Sequence, residues 1–120
     1  MKIIEANEGP KVEYEIRKKT WLDIGDEISL NLKTKEADND VHIDITADEF
    51  GALHEGEGLF YVAQIDIPAR QYTEEEVANP DYNPDDENSE ETITNREPVP
   101  FSMDNVTLTL FAMKEGVING

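Results

Sequence analysis

Residues 59–67, which read LFYVAQIDI, carry the clearest strand pattern in the chain. Every second residue is apolar, which is the period of a β-strand, and the intervening positions are partly apolar as well. Because a strand with two apolar faces is typical of the middle of a sheet, the stretch predicts a central strand. The residues on its first face are Leu59, Tyr61, Ala63, Ile65 and Ile67, and those on the second are Phe60 and Val62.

Further strands are predicted at residues 12–17, 28–33, 41–46 and 106–113, and residues 2–6 are a candidate for a short first strand. Apolar and polar residues alternate over residues 12–17, 28–33, 41–46 and 106–110, which is typical of antiparallel sheets with one face in water. The sequence does not reveal the strand order. The residues predicted to point inward are Val12, Tyr14, Ile16, Ile28, Leu30, Leu32, Val41, Ile43, Ile45, Val106, Leu108 and Leu110.

One short helix is predicted between two of these strands. Thr46 and Glu49 have the spacing of a capping box, in which a hydroxyl and a carboxylate satisfy the first free amides of a helix. The helix would span residues 47–54 and present Phe50 and Leu53 to the core. The expected fold class is therefore mainly β: a small antiparallel β-barrel or sandwich of five to six strands with one short helix and one long acidic loop.

The acidic loop is predicted from the distribution of charge. The chain holds 28 acids and 10 bases, a net charge of −18, and residues 73–97 alone hold ten acids and one base, a local net of −9. The few apolar residues in this segment cannot offset the entropy lost on ordering it. We therefore expect a single domain, residues 1–120, in which residues 73–97 form a mobile loop inserted before the last strand.

The candidate partner-binding residues lie in this loop. They are Asp81, Asp85, Asp86, Glu87, Glu90 and Glu91. Asp81, Asn83 and Asp85 also match the first ligand positions of an EF-hand calcium loop. However, the glycine that forms its sharp turn is replaced by Asp86, and the glutamate that closes it is replaced by Thr92. No metal or cofactor is therefore predicted.

Catalytic signals are weak. His42 lies between Asp40 and Asp44, so a strand would place all three on one face, where a carboxylate can orient an imidazole as a base or metal ligand. The same pattern is equally typical of any acidic strand that faces solvent. The second histidine, His54, lies at the end of the predicted helix. The chain has no cysteine and no nucleophile-elbow, P-loop or dinucleotide-binding motif, so we expect a protein that is not an enzyme.

The net charge limits the class of partner. A charge of −18 opposes direct binding to nucleic acids and anionic membranes, because their phosphates are negative too. No apolar run of about 18 residues predicts a transmembrane helix. The expected partner is therefore another protein or a second copy of the chain.

A group of bases lies in the first third of the sequence. These bases are Lys11, Arg17, Lys18, Lys19, Lys33 and Lys35. They form either a docking patch for an acidic partner, including the chain's own acidic loop, or a device that keeps a strand edge from pairing with a neighbour. The sequence leaves both interpretations open.

Residues 61–70 (YVAQIDIPAR) and 105–110 (NVTLTL) resemble stretches of short, acidic, uncharacterised proteins from bacterial phages and prophages. The resemblance carries no catalytic or binding residue. It implies a setting, namely a small accessory or structural protein of a mobile element, located in the bacterial cytoplasm or assembled in a virion.

Two functions are therefore expected as alternatives. The first is a non-enzymatic protein-interaction or structural module, in which exposed strand edges such as residues 11–17 or 105–113 accept a strand from a neighbour. The second is an acidic mimic of nucleic acid that inhibits a DNA- or RNA-binding protein, since regularly spaced carboxylates can fill a basic groove. Mimicry requires the acids to lie on a rigid surface, which a mobile loop would not provide.

Overall fold

The computed structural model describes residues 1–113, and their regular secondary structure is almost entirely β, as predicted, although it comprises ten strands instead of five to six. Helical structure in this part of the chain is limited to α1 (Leu32–Lys35) and a 3₁₀ turn (Met103–Asn105). The ten strands are β1 (Lys2–Glu5), β2 (Tyr14–Arg17), β3 (Trp21–Ile24), β4 (Ile28–Asn31), β5 (Val41–Ala47), β6 (Leu53–Glu55), β7 (Phe60–Ile67), β8 (Tyr72–Ala78), β9 (Thr92–Pro98) and β10 (Thr107–Leu110).

Five strands form the largest sheet, in the order β1-β10-β7-β5-β6. β7 lies between β10 and β5 and is antiparallel to both, which confirms that residues 59–67 supply a central strand. Ile43, Ile65 and Leu108 lie side by side across three adjacent strands, and all three are buried. The other inward-pointing predictions confirmed as buried are Val12, Leu30, Leu32, Ile45, Ala63, Ile67, Val106 and Leu110.

One irregularity changes which residues of β7 face inward. The register shifts so that Ala63 and Tyr61 pair with successive residues of β5, which leaves Val62 as an extra residue. Val62 and Ala63 are consequently both buried. The alternation is interrupted at this point, so Leu59 and Tyr61 are 64% and 55% exposed, although the alternation placed them on the same face as the buried Ala63, Ile65 and Ile67.

The second sheet, β2-β3-β4, is antiparallel and belongs to the same apolar cluster as the first. Leu22 and Ile24 of β3, a strand that the alternation did not predict, are fully buried. β2 lies at the edge of its sheet, so Tyr14 and Ile16 are 40% and 42% exposed. The prediction that these two side chains point into the core was wrong.

No helix forms over residues 47–54, because the chain there completes β5, turns and begins β6. The predicted capping box fails because the hydroxyl of Thr46 donates to the backbone carbonyl of Gly56, just after β6 (2.9 Å), instead of accepting an amide. The carboxylate of Asp48 accepts the amides of the turn instead. Phe50, expected in the core, is 78% exposed, whereas Leu53 does pack against the core.

The acidic segment forms a third sheet of two strands. β8 and β9 pair in an unbroken antiparallel register, so the loop predicted over residues 73–97 is confined to residues 79–91, and the rest of that prediction was wrong. We call residues 72–98 the arm and the rest of the described chain the body. The molecule measures 76 × 25 × 22 Å, because the arm extends far beyond the body.

The strand pairings within residues 1–113 close no sheet into a barrel. This part of the chain also contains no helix that is long and apolar enough to cross a membrane. Residues 114–120 of the predicted domain lie outside the described residues.

Candidate interaction surfaces

The arm is exposed on both faces. Every residue of β9 is exposed, and only Tyr72 and Val77 of β8 are partly covered. Val77 pairs with Ile93 across the two strands, yet Ile93 remains 42% exposed. An isolated two-stranded ribbon is marginally stable in water because it buries little apolar surface. The arm is therefore a structure that gains stability when a third strand or a protein surface is added to it.

The hydrogen bonds of the arm show which backbone groups point outward. The amide of Val99 donates to the carbonyl of Gln71 (2.8 Å), and the amide of Asn79 donates to the carbonyl of Glu91 (2.9 Å). Because hydrogen-bonded and non-hydrogen-bonded pairs alternate along an antiparallel ladder, the even-numbered residues between these positions direct N–H and C=O groups away from the partner strand. On β8 these residues are Tyr72, Glu74, Glu76 and Ala78. The outer edge of β8 is thus open to another strand.

The tip of the arm, residues 79–91, contains all six predicted partner-binding residues. They are Asp81, Asp85, Asp86, Glu87, Glu90 and Glu91, and each of them is exposed. The tip folds through short-range turns, in which the side chains of Asn79 and Asn83 accept amides two residues further along the chain. Across residues 1–113, no group of three or more His, Asp or Glu side chains is arranged so that it could hold a metal ion.

A cluster of polar side chains joins the arm to the body. Arg70 donates to the carboxylates of Glu36 (3.4 Å) and Asp38 (3.3 Å). The hydroxyl of Tyr72 donates a short hydrogen bond to the same Asp38 carboxylate, and the guanidinium of Arg96 lies 3.9 Å from the centroid of the Tyr72 ring. We call these five residues the latch. The hydrogen bond from Tyr72 to Asp38 therefore ties β8 to the body, and Arg96 of β9 packs on the ring of the same tyrosine.

The two histidines are both held by carboxylates. In His42, Nδ1 lies 2.6 Å from Asp66 Oδ1 and Nε2 lies 2.7 Å from Asp44 Oδ1. The hydrogen bonds with Asp66 and then with Asp44 raise the pKa of His42. In His54, Nε2 lies 2.9 Å from Asp48 Oδ2, and this hydrogen bond lowers the pKa of Asp48.

The surroundings of His42 differ from the predicted ones. Asp40 was expected on the same face, but its carboxylate accepts the amide of Ala69 (2.9 Å). Its place is taken by Asp66, the cross-strand neighbour of His42, which sequence spacing alone could not identify. Since carboxylates engage both ring nitrogens, the arrangement stabilises a charged imidazole and leaves no free nitrogen to act as a base.

The arm, rather than either histidine, is therefore the feature that distinguishes this molecule. No family model, curated protein or solved structure matches this chain. The body offers one surface that complements the arm.

That surface is the free edge of β2. The amide of Gly25 donates to the carbonyl of Glu13 (2.8 Å), so the alternation along the ladder directs the backbone groups of Tyr14 and Ile16 away from β3. The side chains of Tyr14 and Ile16 are also partly exposed. An edge with free backbone groups and exposed apolar side chains can accept another strand.

A basic turn adjoins this edge. Lys18 and Lys19 connect β2 to β3, are exposed, and take part in no ion pair within the described chain. Their φ angles are 52° and 67°, a left-handed conformation that is unfavourable for side-chain-bearing residues by roughly 1–2 kcal/mol. Neighbouring Arg17 pairs with Asp23 (2.9 Å), which raises the pKa of Arg17 and lowers that of Asp23.

The other predicted members of the basic group do not add to this turn as a single patch. Lys35 lies 3.8 Å from the carboxylate of Glu55, and Lys11 donates to the carbonyl of Gly9 (2.8 Å). Lys33 is exposed on α1. The basic turn therefore places two unpaired positive charges directly beside an open strand edge.

Proposed function

We propose that this chain is a non-enzymatic protein-interaction module in which the body is the base and the arm is the binding element. The observation that carries the proposal is the exposure of the arm along both strands, from the latch to the tip. A two-stranded ribbon that contributes nothing to a core, yet keeps an unbroken register, is suited to completion by a partner.

The charge of the arm defines the chemistry of that partner. Residues 73–97 carry a net charge of −9, so a basic protein surface is the complementary one. Complementary charge accelerates encounter and suppresses wrong partners, whereas backbone hydrogen bonds along an open edge supply affinity. The candidate contact residues at the tip are Asp81, Asp85, Asp86, Glu87, Glu90 and Glu91.

The setting that we propose is that of a structural or accessory protein of a bacterial phage or another mobile element, in the host cytoplasm or in a virion. The resemblance of residues 61–70 and 105–110 to phage and prophage proteins supports this setting. The apolar cluster shared by the five-stranded and three-stranded sheets supports an interpretation of the body as a β-sandwich.

A second candidate function is inhibition of a nucleic-acid-binding protein by mimicry. One observation favours it: Glu74 and Glu76 lie on one face of an extended strand, so their positions are held about 7 Å apart instead of varying as in a loop. Such fixed negative charges would fit a basic groove, and binding would depend strongly on salt.

The test is a pull-down from bacterial host extract at low and moderate salt. The tagged chain is compared with a variant in which a short turn replaces residues 75–96, and with the Glu90→Gln/Glu91→Gln variant, which keeps the ribbon and removes two tip charges. We expect the deletion to abolish capture and the tip variant to weaken it. Capture that is lost at moderate salt and consists of nucleic-acid-binding proteins would favour mimicry. Identical capture with and without the arm would contradict both functions.

A further inference from the structure

We propose that the partner of the arm is a second copy of this chain. In this assembly the outer edge of β8 in one copy adds to the free edge of β2 in the next copy, and the glutamates of the arm face the basic turn. This inference rests on the proposed function and identifies the protein that the arm binds.

The two edges match as strand partners. β8 directs the backbone groups of Glu74 and Glu76 outward, and β2 directs those of Tyr14 and Ile16 outward. β8 is seven residues long and β2 is four, so the arm can pair along the whole of β2 and continue past its end. Added pairing would also cover the exposed side chains of Tyr14 and Ile16.

The two edges also match in charge. Residues 14–19, which form β2 and the basic turn, contain three bases and one acid, a net charge of +2, in a chain whose net charge is −18. The arm contains ten acids and one base. An arm that continues past β2 therefore brings its glutamates toward Lys18 and Lys19, neither of which has an ion-pair partner within the described chain.

The conformation of the basic turn supports a role for its charge. Asn and Gly fit left-handed positions better than lysine does, yet Lys18 and Lys19 both occupy such positions. Local stability would favour other residues at this exposed turn. The lysines are explained if their positive charges are needed by an approaching acidic strand.

The partner edge belongs to another copy because, within the described chain, β8 and β9 pair only with each other and not with β2. The molecule is 76 Å long and 25 Å wide, so its exposed arm is available to a neighbouring copy. Contacts of this kind use different surfaces on the two copies. They produce a head-to-tail row that closes into a ring or grows as a filament.

The test exchanges charges between the two surfaces in the full chain. One variant is Glu75→Lys/Glu76→Lys, which leaves the Glu74 contact with Arg96 intact (3.9 Å). The other is Lys18→Glu/Lys19→Glu. Sedimentation velocity is measured at about 0.15 M salt, where exposed charges interact only over about 8 Å. We expect each variant alone to weaken self-association about tenfold or more. An equimolar mixture should recover association, because every contact between one variant and the other again joins opposite charges.

A second pair of variants tests the strand addition itself. Ile16→Pro removes an outward amide of β2 and leaves the hydrogen bonds to β3 in place, whereas Ile16→Thr retains that amide. Proline should abolish association and threonine should preserve most of it. Thermal melting of each variant confirms that the body remains folded.

Three results would overturn the inference. A wild-type chain that stays monomeric at all accessible concentrations would exclude the second copy as partner, while the arm-dependent pull-down would still report on the proposed function. Charge variants that associate as the wild type does would exclude the basic turn. A mixture that fails to recover association, although both variants melt normally, would exclude this pairing of surfaces.

Discussion

The body and the arm are both β-structures, antiparallel except where β1 runs parallel to β10 in the body, but they are stabilised by different means. In the body, adjacent strands bury Ile43, Ile65 and Leu108 side by side in one apolar cluster. In the arm, two seven-residue strands pair in full register and remain almost entirely exposed. The comparison shows that a ladder and a polar latch can define the shape of a ribbon without a core. Such a ribbon is better suited to binding than to stabilising the fold.

The largest expected difference between the two regions is in how far the free energy of unfolding falls when an aliphatic side chain is truncated to alanine. Leu108→Ala leaves a cavity in the core and should lower the free energy of unfolding by about 2–5 kcal/mol. Ile93→Ala in the arm should lower it by less than about 0.5 kcal/mol, because this side chain is exposed. Urea unfolding measures both values. An equal loss of stability for the two variants would mean that Ile93 is buried in an apolar core as Leu108 is.

A smaller effect of opposite sign is expected at the basic turn. Lys18→Asn/Lys19→Gly places favoured residues in left-handed positions and should raise the free energy of unfolding by about 1 kcal/mol. The same variant should weaken self-association, since it removes both free charges. Thermal melting and sedimentation measure the two effects. A variant that is both more stable and equally associated would show that the lysines have no role in assembly.

Replacing residues 75–96 with a short turn should change the stability of the body by less than about 1 kcal/mol, because the length of a connection contributes little to its closure entropy. The transition should stay cooperative, with a midpoint close to that of the wild type in thermal melting. Arg70→Ala is the matched control, since it removes the hydrogen bonds of Arg70 in the latch but retains the arm, and so separates the effect of the latch on the stability of the body from that of the arm. Loss of the cooperative transition on deletion would show that the body depends on the arm.

The smallest effect is the pH dependence that His42 contributes. Its pKa in the folded chain is raised above the ordinary value of 6.5, so its stabilising contribution is complete below that pH and is lost as the pH rises through the folded pKa. Because the side chain is half exposed, the contribution is about 0.5 kcal/mol or less. The melting temperature difference between wild type and His42→Gln should be larger at pH 6 than at pH 8.5. In a chain that already carries Asp66→Asn, His42→Gln should change the melting temperature at pH 6 by less than it does in the wild type. A change in melting temperature on His42→Gln that is the same at both pH values would contradict the raised pKa of His42.

The sequence predicts the body better than the arm for a physical reason. Val106, Leu108 and Leu110 alternate with polar residues because one face of their strand meets the core and the other meets water. The arm has water on both faces, so Glu74, Glu75 and Glu76 show no alternation, and their charge favoured a loop. The available signal was the β-branched run Thr92, Ile93 and Thr94 opposite Val77, which favours strand structure.

The candidate surfaces were predictable in part. The exposed acids at the tip and the lysines of the basic turn follow from charge alone. The latch could not be predicted, because it joins residues from separate segments, such as Glu36 and Arg70. The Thr46 and Glu49 capping box misled the helix prediction, since tertiary contacts gave the Thr46 hydroxyl a different acceptor.

The extended arm is the central feature of this molecule, and small-angle X-ray scattering of the monomeric chain at low concentration tests it most directly. We predict a radius of gyration close to the Cα value of 21.3 Å and a maximum dimension close to 76 Å. A compact chain of this length would give a radius of gyration of about 14 Å. A measured value near that compact limit would show that the arm folds back on the body, and would contradict the proposal that it is a projecting binding element.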